Sequence, residues 1–140
     1  MSSKGFTMIE IIIVIAIFIF VVGFGMLTDF NVFTGDTFHA EEAKIVSLLG
    51  RARSRAMANV YDSNFGVCYI SPNYVMFQGS TCVAGDAIPA NVNISENPST
   101  IFPTFVFNRL TGTTVGGTIH ITDGVKSTDI IINNEGTISW

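Results

Sequence analysis

Glu10 is the first residue of this sequence to pose a chemical question, because it is the only ionisable side chain between Lys4 and Asp29. A carboxylate at the centre of a membrane helix costs on the order of 2.5 to 3.5 kcal/mol. That cost falls one turn from a membrane edge, where the positive end of the helix dipole favours a negative charge. It also falls where the carboxylate meets a cation in low dielectric. Glu10 is therefore either a tolerated edge residue or an ionic contact.

The remaining chemically capable residues are scattered. His39 and His120 stand alone, and no nucleophile, base and orienting group recur at a recognisable spacing. No catalytic residue is assigned, and the chain reads as a protein that is not an enzyme. Asp123, Asp129 and Glu135 could offer oxygen ligands from C-terminal loops, but the Asp-rich pattern of a calcium loop is missing. They read as solvated turn residues, and no metal or cofactor is expected. Arg51, Arg53 and Arg55 form the only basic cluster. Arg51 and Arg55 share a helix face and Arg53 points elsewhere, which suits a solvated face or inter-subunit ion pairs better than a DNA groove. Cys68 and Cys82 would close a loop of about 15 residues and read as a disulfide, worth roughly 3 kcal/mol. The alternative is that Cys68 is a reduced core residue on a strand.

The elements that must position these residues are of two kinds. The chain has 140 residues, 48% hydrophobic and only 13% charged, with a net charge of −4. Much of the apolar excess lies in the first thirty or so positions. From residue 11 to residue 27 no side chain is charged or strongly polar. With residues 6–10 added, the run is about 22 residues, or roughly 33 Å of helix, which is enough to span a bilayer. A secretory signal would have a shorter apolar core and a small-residue cleavage site, and Thr28-Asp29-Phe30-Asn31 offers none. Lys4 precedes the run and Asp29, Asp36, Glu41 and Glu42 follow it, so the N-terminus is expected in the cytoplasm. Gly23 and Gly25 are expected to weaken the helix.

Beyond this run, Ile45, Leu48, Leu49, Ala52 and Ala56 recur at three- and four-residue steps, predicting an amphipathic helix over 37–58 that packs on a sheet. Asp36 or Thr37 is its expected N-cap, with Glu41 and Glu42 near its start complementing the dipole. After Asn59 the sequence turns to β-branched and aromatic runs. Strands are expected at 65–70, 74–78, 92–94, 101–108, 118–122, 128–133 and 137–140. Residues 79–101 are expected to hold a surface excursion. One soluble domain with one core follows.

Four stretches carry two resemblances. Lys4-Gly5 followed by Phe6-Thr7-Met8-Ile9-Glu10 and an apolar helix resembles the N-terminal signal of type IV pilins and type II secretion pseudopilins. Residues 48–56, Phe105-Val106-Phe107-Asn108-Arg109-Leu110-Thr111-Gly112 and residues 130–138 look like the GspH/FimT branch of minor pilins and pseudopilins.

The resemblance implies an α+β fold: a long N-terminal transmembrane and assembly helix whose C-terminal half packs on an antiparallel β-sheet domain. It implies a leader at 1–5, the assembly helix at 6–27 and an exported domain at 28–140. Prepilin peptidase would cut after Gly5 and methylate the new amine on Phe6. Glu10 would meet such an amine, either its own or that of a neighbouring subunit, and so act in assembly. The implied partners are the peptidase, other pilin or pseudopilin subunits, the inner-membrane assembly platform and the membrane itself. The implied location is the inner membrane, with the C-terminal domain periplasmic or extracellular, and later the pilus or pseudopilus. The FimT-like proteins that bind DNA for uptake use a basic C-terminal region, whereas this C-terminus carries Asp129, Glu135 and Trp140. Nucleic acid is accordingly not expected as a partner. A membrane-anchored binding domain that never polymerises is the alternative of a different class.

Overall fold

The computed structural model describes residues 5, 7–26 and 30–140, apart from the side chains of 24–26 and 30–36. The chain forms two compact units, Met1–Gly35 and Asp36–Trp140. In the first, helix α1 runs over Met8–Met26. Isoleucine and valine are only fair helix formers, yet the run offers the backbone no competing side-chain partner, and helix satisfies every interior N–H and C=O locally. The helix continues through Gly23 without a break.

The expected long transmembrane helix is corrected here. Among the described residues no helix is long and apolar enough to cross a membrane. The described helical residues of this region are α1, Met8–Met26, and α2, Phe30–Met57. Residues 27–29 lie outside the described residues. The N-cap expected at Asp36 or Thr37 is also corrected, since both are interior to α2.

In the second unit, the stripe on α2 is longer than the aliphatic residues alone suggest. Phe38, Ile45, Leu48, Leu49, Ala52 and Ala56 are buried, and Glu41 and Glu42 are buried in the same row. A single 3₁₀ turn, Val60–Asp62, leads into the strands. Strands β1 (Phe65–Ile70), β2 (Asn73–Gln78), β3 (Asp86–Pro89) and β4 (Phe105–Phe107) form one antiparallel sheet in the order β3-β2-β1-β4. Strands β5 (Gly117–Thr122), β6 (Ser127–Ile132) and β7 (Ile138–Ser139) form a second antiparallel sheet in chain order. The strand expected at 92–94 is instead a short helix, α3, Val92–Ser95. The side chain of Asn91 caps it by accepting from the Asn93 N–H at 3.1 Å, a local bond that competes with extended pairing.

Period-two alternation sorts the strand residues. Phe65, Val67, Tyr74, Met76, Phe105, Phe107, Ile119, Ile121, Ile130 and Ile132 join the α2 stripe in one core. On the opposite face of the first sheet, Cys68, Val75 and Phe77 form a smaller buried cluster. Gly66 is directly opposite Phe77, and a Cβ at 66 would collide with the Phe77 ring and the Phe105 carbonyl. Glycine at 66 leaves the space that the Phe77 ring occupies.

Candidate functional site

The N-terminal segment is held by local chemistry. Thr7 stands just before α1, and its carbonyl accepts from the N–H groups of Glu10 at 3.1 Å and Ile11 at 3.4 Å. The Glu10 carboxylate reaches back to the Thr7 N–H at 3.4 Å. Thr7-Met8-Ile9-Glu10 thus forms the carboxylate half of a capping box, which satisfies a helix-end donor that has no intrahelical partner. The T-x-x-E spacing carries the signal for this cap, a role beyond the dipole and assembly roles expected of Glu10. Gly5 is exposed, and Phe6 lies outside the described residues.

Around this carboxylate the helix is bare. The large side chains Met8, Ile9, Ile11, Ile12, Ile13 and Val14 are all exposed, as are Ile15 to Val22 apart from Ala16 among the large hydrophobics. A shallow groove lined by Glu10, Ile11, Val14 and Ile15 runs along one side of the first two turns. An apolar surface of this extent is uncommon on a monomeric soluble protein and marks a region that another apolar body covers. The arrangement can do one thing chemically: present a carboxylate at the rim of an apolar face.

The other sequence candidates are dispersed over the Asp36–Trp140 unit. His39 Nδ1 lies 3.1 Å from Glu42 Oε2, and His120 Nδ1 lies 2.5 Å from Asp129 Oδ1. Asp123 closes the β5–β6 turn by accepting from the N–H groups of Val125 at 2.8 Å and Lys126 at 2.7 Å. Those two backbone donors hold its carboxyl below the ordinary carboxylate range. Asp123, Asp129 and Glu135 are not gathered: among the described residues no group of three His, Cys, Asp or Glu side chains is placed to hold a metal ion.

The arginines also part company. Arg55 Nη1 donates to Asp86 Oδ2 at 2.9 Å, and Arg53 Nη2 donates to the Glu135 carbonyl at 3.1 Å. Arg51 lines a shallow hollow on α2 with Ser47, Gly50 and Ser54. Cys68 and Cys82 are joined in a disulfide with their Cα atoms 6.1 Å apart.

Two features were missed by reading the sequence. Glu41 is 2% exposed, yet it is fully engaged: Lys44 Nζ donates to one oxygen at 2.5 Å and the Asn91 N–H to the other at 2.7 Å. Burial, and then the nearby Glu41 carboxylate, push the Tyr74 phenol well above its ordinary value. The second feature is a strained corner. Asn59, Tyr61, Asp62 and Leu110 all have positive φ, although none is glycine. Arg109 ties this corner together by pairing with the Asp62 carboxylate, while its N–H donates to Asn64 Oδ1 at 2.9 Å. No spacing rule announces such a corner, since its conformation is imposed by contacts far apart in sequence.

Comparison with family models, curated proteins and solved structures finds no match for this chain.

Proposed function

We propose that this chain is a minor pilin or type II secretion pseudopilin, cut after Gly5 by prepilin peptidase and modified at Phe6. It is stored at the inner membrane through its apolar N-terminal segment and added to a pilus or pseudopilus through α1. The observation that carries this reading is α1 itself, an apolar helix with exposed side chains and a single carboxylate in its first turn. Other subunits and the assembly platform are the partners that such a surface requires.

The capping contact supports the assembly role of Glu10 in a specific way. The carboxylate reaches back to the N–H of Thr7, the residue that follows Phe6 in sequence, and cleavage after Gly5 would create the new amine on Phe6. In the filament the same group meets that amine or the one on an adjacent subunit. Either pairing favours a fixed axial register, because an unpaired carboxylate among packed apolar helices is costly.

The test is incorporation. Glu10→Ala is expected to stay in the membrane fraction while its recovery in sheared filaments falls about tenfold, the scale of one lost ionic contact of roughly 1.4 kcal/mol. Normal recovery of the variant in filaments would remove the assembly role.

A further inference from the structure

A groove in the Asp36–Trp140 unit opens between the end of α2, the 3₁₀ turn, β2 and the start of β3. Its walls include Arg55, Tyr61, Phe65, Gln78, Gly85 and Asp86. We propose that this groove binds a neutral saccharide.

The charges select the ligand class. Arg55 and Asp86 form an ion pair across the groove at 2.9 Å, with side chains 45% and 66% exposed. An anion or a cation entering here would face a group of its own sign. A pair of neighbouring hydroxyls, each able to donate and accept, matches a guanidinium and a carboxylate side by side, with the Gln78 amide adding one donor-acceptor pair.

The aromatic wall supplies the second half of such a site. Tyr61 is 78% exposed and sits at φ 57°, a conformation that bulky residues rarely adopt. The outlier puts a phenol ring at the groove instead of in the core, where the C–H face of a sugar ring can pack against it.

The walls are also built before any ligand arrives. The Arg55 guanidinium lies over the Phe65 ring at 6.0 Å from its centroid. Gly85 runs so close to β2 that a Cβ would strike the Met76 carbonyl. The loop leading to it is tied to β1 through Cys68 and Cys82. Little ordering is left for binding to cost. This proposal is independent of how the chain assembles.

The test uses the full chain in a zwitterionic detergent without a sugar headgroup, titrated with maltotriose, cellotriose and chitotriose and followed by saturation-transfer NMR. At least one trisaccharide is expected to bind, with transfer from the Tyr61 ring protons. Tyr61→Gly, which suits the positive φ, and Asp86→Ala are expected to weaken it about tenfold, while Tyr61→Phe and Trp140→Ala leave it unchanged. Binding of none of the three, equal binding by parent, Tyr61→Gly and Asp86→Ala, or equal loss in Trp140→Ala would overturn the proposal. Where a variant fails to fold, the parent decides: a bound sugar that receives no transfer from Tyr61 overturns it as well.

Discussion

Under the proposed function Glu10 has two separable duties, the local cap that the structure holds and a contact between molecules. Its reach to the Thr7 N–H caps α1, and glutamine at this position caps almost as well because it also offers an acceptor. Glu10→Gln should therefore keep α1 intact but remove the charge, whereas Glu10→Ala removes both at a local cost of ~0.3–1.5 kcal/mol. If charge pairing drives assembly, both variants lose filament recovery to a similar extent. Recovery by Glu10→Gln alone would assign the effect to capping.

Asp123 gives a pH prediction at the same scale. Its folded-state carboxyl lies below the ordinary value because it accepts two backbone N–H bonds. The stabilisation it contributes is present above the unfolded value, near pH 4, and is lost as the pH falls through the lower folded value. Asp123→Asn should flatten that part of the acid limb in a denaturation series. An unchanged acid limb would mean the turn does not depend on this charge. At this scale a contiguous spacing such as Thr7-x-x-Glu10 holds the cap in plain view, although a cap was not among the roles expected of Glu10, and the sequence is silent where a conformation depends on distant partners, as with Tyr61 and Leu110.

Among the elements, α2 and the loop after β2 set the form of the Asp36–Trp140 unit. The three- and four-residue spacing of Ile45, Leu48, Leu49, Ala52 and Ala56 marks the buried face of α2 correctly. It does not mark Glu41 and Glu42, because a carboxylate near a presumed helix start reads as exposed. Their burial follows from Phe38 extending the stripe and from Lys44, Asn91 and Thr128 supplying partners. Glu41→Ala leaves the Asn91 N–H without its acceptor and should cost about 1–3 kcal/mol of unfolding free energy. A change under a few tenths would mean that water replaces the carboxylate at no penalty.

Strand β3 was hidden inside a stretch rich in Gly, Pro, Asn and Ser, where four residues ending in Pro89 give too short a pattern to read. Its position depends on pairing with β2 from Asn73↔Pro89 to Met76↔Asp86. The disulfide fixes the preceding loop across the outer face of the first sheet, where Cys68 is buried beside Val75 and Phe77. Replacing both cysteines by alanine should lower stability by roughly 3 kcal/mol through the restored freedom of a loop of about 15 residues. Equal denaturation midpoints for the parent and the double variant would contradict this.

The whole molecule joins two materials with different needs. The Asp36–Trp140 unit buries its apolar residues between α2 and two antiparallel sheets. Helix α1 exposes its apolar side chains from Met8 to Val22 and carries one carboxylate at its start. The change of material at the end of the apolar run was plain in the sequence, since composition alone marks it. The account of this molecule as a processed filament subunit rests on Gly5, Phe6 and Glu10 acting in register at the head of α1.

The most direct measurement is the intact mass and N-terminal residue of the chain recovered from cells with and without prepilin peptidase. With the peptidase, the chain is expected to begin at Phe6 and to carry one added methyl group, and Gly5 replaced by a bulky residue is expected to leave it uncut. The same full-length mass in both cells would contradict the account.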